Sequence, residues 1–179
     1  MDDLVKLALL KWPNVPHCFG WLGLDARGRW YMRDEEAQHA GPFSRSKGAL
    51  LQHSKLIEFI GRNYQADACG QWYFQNGPQR VYVELELCPW VWRVDQEAGA
   101  FRLTSHTGQV AAYESSFQDE TGRLYFNTAL GLGVVHSMDM WPALQFLEQG
   151  DIHPQNVAQH ALAKHFNFVR SPAQENDKA

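Results

Sequence analysis

Asp67-Ala-Cys-Gly70-Gln-Trp72-Tyr73-Phe74 is one of three closely similar stretches in this chain. The other two are Asp25-Ala-Arg-Gly28-Arg-Trp30-Tyr31-Met32 and Asp119-Glu-Thr-Gly122-Arg-Leu124-Tyr125-Phe126. Each sets Asp three residues before a Gly and Tyr three residues after it. With 14 Gly and 6 Tyr in 179 residues, chance supplies about 0.03 such matches, so the three are uses of one device. That device is a β-hairpin. Aspartate opening the turn accepts hydrogen bonds from amides two residues on. Glycine in fourth place takes the left-handed conformation that closes a type I turn with a bulge. In the strand that follows, Trp30 and Met32, Trp72 and Phe74, and Leu124 and Phe126 point one way, while Tyr31, Tyr73 and Tyr125 point the other. A looser turn, Asp95-Gln-Glu-Ala-Gly99, precedes Phe101 and Leu103. Calcium loops need more oxygen ligands at alternating positions than these turns carry, so their role is structural. Their uneven spacing speaks for a modified duplication and against a solenoid or propeller.

Outward from the turns, Arg80-Val-Tyr-Val-Glu-Leu-Glu-Leu87 alternates as a strand. Val81, Val83, Leu85 and Leu87 are expected in the core, with Arg80, Tyr82, Glu84 and Glu86 facing water. Trp90-Val-Trp92 continues into a further strand, so 70–136 reads as an antiparallel meander. Ser54 to Gly61 reads as a helix capped by Ser54, and Asp2 to Lys11 as another. Asp139 to Glu148 and Pro154 to Lys164 read as two closing helices. The class these readings give is α+β: antiparallel β-meanders built from repeated hairpins on three Asp-x-x-Gly turns, with short flanking helices. Residues 1–66 hold the N-terminal helix, first hairpin and short helix. Residues 67–172 hold the meander and two C-terminal helices and share one core with the first part. Residues 173–179 read as a disordered tail.

Composition narrows function mainly by exclusion. Apolar residues make up 45% and aromatics 13%, too much buriable area for a disordered chain. A net charge of −4 lacks the basic stripe of a nucleic-acid binder, so no nucleic-acid partner is expected. Met1-Asp2-Asp3 is acidic where a signal peptide is basic, and Leu4 to Leu10 is too short to span a bilayer. Cys18, Cys69 and Cys88 form neither a disulfide framework nor a zinc spacing. A cytoplasmic protein with no membrane partner is expected.

No catalytic signature emerges. Among eight histidines, His160 and His165 are five apart and diverge on a helix, so no metal site is expected. Leu130-Gly-Leu-Gly133-Val-Val-His136 lacks the third glycine of a phosphate loop and runs into strand sequence. Adjacent His136 and Ser137 would point to opposite faces of a strand, which prevents a direct nucleophile–base contact. Trp90 and Trp92 read as core. Arg80, Tyr82, Glu84 and Glu86 form the most polar strand face, and Arg and Tyr are favoured interface anchors, so they are the candidate ligand- or partner-binding residues.

With its repeated turns and the Pro78-Gln-Arg-Val-Tyr-Val-Glu-Leu-Glu-Leu-Cys-Pro89 strand, the chain resembles a proteobacterial family of domains of unknown function. The resemblance spans residues 20 to 135. It implies a mixed α/β architecture with repeated β-motifs, dimers and a role in signal transduction. It supplies no catalytic residues. The Asp34–Ser46 insertion and helical C-terminus depart from the pattern. The expected function is a non-catalytic regulatory module that binds a protein or a small molecule, without a cofactor and with a homodimer as its assembly. The alternatives are an assembly subunit, or an enzyme in which at least two of His106, His136, Glu84, Glu86 and Asp139 converge in one pocket.

Overall fold

Each of the three Asp-x-x-Gly turns closes on its aspartate. Asp67 Oδ1 accepts from the amides of Cys69 and Gln71, both at 2.9 Å. Asp119 Oδ1 accepts from Thr121 and Arg123, again at 2.9 Å, and Asp25 Oδ1 accepts from Arg29 at 2.9 Å. Gly28, Gly70 and Gly122 lie at φ between +76° and +81°, where only glycine sits without steric cost. Ser105-His-Thr-Gly108 is a further copy that the Asp pattern does not reveal. Ser105 Oγ accepts from Thr107 and Gln109, and Gly108 has φ +84°. A serine hydroxyl does the work of the carboxylate there.

The computed structural model describes residues 1–97 and 100–176, and the chain divides into two compact units. The first comprises Met1–Asp25, Arg29–Glu86 and the segment from Asn167 onward. Its elements run α1 (Asp3–Lys11), β1 (Cys18–Leu24), β2 (Trp30–Met32), α2 (Glu35–His39), β3 (Ala49–Leu50), α3 (Ser54–Arg62), β4 (Tyr64–Ala66), β5 (Trp72–Asn76) and β6 (Gln79–Leu85). The second comprises Ala26–Gly28 and Leu87–Phe166. It holds β7 (Trp90–Glu97), β8 (Ala100–Ser105), β9 (Val110–Ala111), β10 (Tyr113–Gln118), β11 (Leu124–Thr128), β12 (Gly131–Val135), α4 (Met140–Gln149), β13 (Gln155–Asn156) and α5 (Leu162–His165). A last helix, α6 (Pro172–Asn176), belongs to the first unit.

The first sheet has the strand order β3-β2-β1-β6-β5-β4, and the second β13-β10-β11-β12-β7-β8-β9. Set β13 aside and the two orders are the same, strand for strand. In both, a central parallel pair, β1 with β6 and β7 with β12, is flanked by antiparallel hairpins. The modified duplication expected from the turns is therefore a repeated sheet topology. Asp67 and Asp119 hold equivalent turns, between β4 and β5 and between β10 and β11. In the second sheet β7 and β8 take the places of β1 and β2. Asp95, Gln96 and Glu97 of the looser predicted turn lie in β7, and Ala98 and Gly99 fall outside the described residues.

The α+β class holds, and the sheets are rich in hairpins. Several expectations need correction. The 70–136 meander is split, because β6 ends the first sheet and β7 begins the second, and the central pair of each sheet is parallel. The division expected at 66–67 falls inside the first unit, between the paired strands β4 and β5. The second closing helix is shorter than expected. Gln155–Asn156 pairs parallel to β10, and helix begins only with the 3₁₀ turn Gln159–Ala161. His53, not Ser54, caps α3, its Nδ1 accepting from Leu56 N–H. Residues 173–176 are helical where a disordered tail was expected, and 177–179 lie outside the described residues.

Both cores are aromatic. Leu22, Leu24, Trp30, Ile60, Phe74 and Val83 are buried in the first unit. Trp90, Trp92, Leu124, Tyr125, Phe126 and Val134 are buried in the second.

Candidate functional site

Alternation puts Tyr31 and Arg33 on one side of the first sheet, together with Gly23, Tyr82 and Glu84. Gly23 pairs with Tyr31 across one edge of β1 and with Glu84 across the other. This is the face expected to be solvated. Instead Tyr82 is 4% exposed and Glu84 3%. Two segments that a strand-by-strand reading leaves out cover it. One is the insertion after β2. Its Phe43 packs edge-on against Tyr31 and lies so close to Gly23 that a Cβ there would meet the ring at 2.3 Å.

The other is the C-terminal segment from Asn167, which runs across the sheet as a strap. Val169 N–H donates to Gly70 O at 2.9 Å, and Leu85 N–H donates to Arg170 O at 2.8 Å. The Arg170 guanidinium donates to Glu86 O. At Gly70 a Cβ would come within 2.3 Å of Asn167 O, so this glycine serves the strap as well as its turn.

A buried charge anchors each cover. Arg33, 4% exposed, gathers the insertion by donating to the carbonyls of Ala37, Gly41 and Ser46, and it also donates to Gly20 O in β1. Burial pushes its pKa down, and the negative charge of Glu84 acts in the opposite sense. Glu84 holds the strap, accepting from Ser171 Oγ at 2.5 Å and from Ala173 N–H at 3.1 Å. Between insertion and strap lies a cavity of about 420 Å³. Gly20, Arg33 and Glu84 line it, with Gln38 and His39 from α2 and Gln174 from α6. A smaller hollow of about 210 Å³ shares Pro42, Glu84, Ser171 and Gln174 and adds Phe43 and Arg170.

Of the four residues singled out in the sequence, only Glu84 reaches this cavity. Arg80 lies over the Tyr73 ring, 4.6 Å from its centroid. Tyr82 stacks on Phe19 and donates to Asp67 Oδ2 at 3.0 Å. Burial raises its pKa, a rise that the Arg80 contact lowers and Asp67 adds to. Glu86 pairs with Lys47 at 2.8 Å. Arg33, Gln38, His39, Ser171 and Gln174 were missed. The one usable signal was Arg33, two residues after Tyr31 and hence on its face.

The same register locates the histidines. Tyr73 pairs with Tyr82, and its counterpart Tyr125 pairs with Val134, so His136 occupies the position of Glu84. Arg33 N–H donates to Trp21 O and His106 N–H to Val91 O, both at 2.9 Å, which makes His106 the counterpart of Arg33. Both imidazoles serve locally. His136 Nδ1 accepts from Met138 N–H, and His106 Nδ1 accepts from Val91 N–H. Asp139 pairs with Arg93. None of the four cavities described brings two of His106, His136, Glu84, Glu86 and Asp139 together. A hollow of about 570 Å³ beside Asp119 is larger. Its carboxylate is already engaged by the Thr121 and Arg123 amides, the Thr121 and Tyr125 hydroxyls and the Gln159 amide. Among the described residues no cluster of three or more His, Cys, Asp or Glu could hold a metal, and no helix is long and apolar enough to cross a membrane.

A family model described as "Protein of unknown function (DUF2946)" matches residues 1–173. The chain belongs to this DUF2944 family. No curated protein matches it. Among solved structures, the chain is similar to a DUF1285 family protein from Silicibacter pomeroyi DSS-3, with TM-score 0.51 and 14% identity over 81% of this chain and 84% of that one. It is also similar to a DUF1285 family protein from Shewanella baltica OS155, with TM-score 0.50 and 11% identity over 74% and 97%. At such identities the likeness is one of fold. It agrees with the sequence resemblance to a family of unknown function, at that level.

Proposed function

We propose that this protein is a non-catalytic binding module whose first unit takes up a small polar molecule between the insertion and the strap. One observation carries the reading: Arg33 and Glu84, opposite in charge and almost wholly buried, line a single cavity of about 420 Å³. Ligand sites commonly have such volumes, with a few convergent polar groups fixing orientation. A regulatory role is part of this proposal, and the contact an occupant would make with the strap that Glu84 holds supports it. Signalling by this route, residence in the cytoplasm and a homodimeric assembly belong to the same proposal, and the free thiols of Cys18, Cys69 and Cys88 fit a reducing compartment.

The test is a thermal-shift screen of the intact protein against mixed metabolites, repeated on Gln174→Trp. Gln174 is exposed at the mouth of the cavity, so a large ring there blocks entry without disturbing the core. A metabolite that stabilises the parent and not the variant is the expected result. Stabilisation equal in both would place binding elsewhere and end the proposal. The enzyme reading is not favoured, because its candidate acids and bases are scattered.

A further inference from the structure

Resting on that reading of the cavity, we infer that its ligand is a small zwitterion of the amino-acid class, its carboxylate toward Arg33 and its ammonium group toward Glu84. Arg33 and Glu84 stand on opposite flanks of β1. Arg33 lies beside Trp21 and Glu84 beside Gly23, so two strand spacings of about 4.8 Å and a two-residue stagger of about 7 Å put their backbones roughly 12 Å apart and leave room for a ligand between their side chains. The four hydrogen bonds of the Arg33 guanidinium all end on main-chain carbonyls. Dipoles therefore meet its charge, and one of the five N–H groups of a guanidinium is left over. Such a buried cation attracts a carboxylate.

A simple anion, however, would also face Glu84, and a simple cation would face Arg33. Beside side chains as buried as these two, either mismatch is penalised more strongly than in bulk solvent. A molecule with both charges satisfies both walls. The carboxamides of Gln38 and Gln174 and the imidazole of His39 then offer hydrogen bonds to the remainder of the ligand. A volume of about 420 Å³ suits a free amino acid or a dipeptide.

The test measures melting temperature and binding heat for the intact protein with glycine, L-alanine, L-glutamine, L-arginine and alanyl-glutamine. Propionate and propylamine, at matched concentration, carry one charge each. The expected result is a rise on the order of 5 °C with at least one zwitterion near saturation, and none with propionate or propylamine. The rise should vanish in Gln174→Trp, and affinity should fall at least tenfold in Glu84→Gln. Because Glu84→Gln also loosens the strap, Gln174→Trp keeps the test decisive if the former folds poorly. Should propionate or propylamine alone stabilise as well as the zwitterions, the inference falls while the cavity reading survives. It falls in the same way if only another metabolite class stabilises the parent and not Gln174→Trp. No shift from any of these compounds or from the metabolite mixtures, with no chemical-shift change at the Gly20 or Gly41 amides, would overturn both.

Discussion

Asp119 shows how much one side chain does in each hairpin. Its Oδ1 closes the turn, and its Oδ2 accepts from the buried Tyr125 hydroxyl at 2.8 Å. Asp25 repeats this with Tyr31 at 3.3 Å, whereas Asp67 takes its phenol from Tyr82 on the neighbouring strand. The shared geometry is thus a carboxylate under a phenol, whichever strand supplies it. Removing it leaves buried donors unmet, so Asp119→Asn should cost about 1–3 kcal/mol in urea unfolding, and Tyr125→Phe about 1 kcal/mol.

The acid limb of stability follows from the same contacts. Burial pushes the Asp119 carboxyl up, but hydrogen bonds from Thr121, Tyr125 and the Arg123 and Thr121 amides outweigh it and hold the group below its ordinary value. A depressed carboxyl contributes its full stability above its unfolded pKa of about 3.9, and the contribution is lost as pH falls through the folded value. Below about pH 4, then, the urea midpoint of the parent should drop more steeply than that of Asp119→Asn. Parallel curves would show that Asp119 is not the group responsible.

Among the elements, the strap and the insertion matter most, and they are where sequence reasoning was weakest. Strands and turns were legible because alternation and the Asp-x-x-Gly spacing are local signals. So were α1 and α4, through their apolar spacing, although neither Asp2 nor Asp139 makes the side-chain capping bond expected of it. The covers were not, because neither has a period. Residues 173–176 are polar and terminal, yet Ala173 is held by a carboxylate 89 residues earlier in the chain, a contact no local pattern encodes. For the same reason β6 was read as having one wet face.

Glu84→Gln should free the strap. Amide exchange at Ala173 and Val169 should quicken by about tenfold or more, while amides of β11 and β12 keep their protection. Gly70→Ala tests the other anchor. With φ +77° and Asn167 O in the way, it should cost at least about 1 kcal/mol and raise strap exchange too.

Taken as a whole, the molecule is one sheet topology used twice with different polar inserts. Arg33 and Glu84 in the first copy stand where His106 and His136 stand in the second, and only the first copy has a described cavity lined by its pair. The second unit is nearly continuous in sequence, lacking only Ala26–Gly28. A Leu87–Phe166 fragment should therefore retain a dispersed amide spectrum and a cooperative melt. A spectrum typical of a collapsed, unfolded chain would show that the repeated topology is not self-sufficient.

The order in which the two copies are threaded also sets a timetable for synthesis. The first unit cannot cover Glu84 until the strap has been made, and the whole second unit is translated in between. At roughly 5–20 residues per second, those roughly 80 residues impose a wait on the order of 4–16 s. During it the nascent first sheet presents a half-covered polar face, open to water and to any chaperone. The cavity beside Arg33 and Glu84 is walled only once Ser171 and Ala173 have been made, so a product cut off before Asn167 would carry two sheets and no strap.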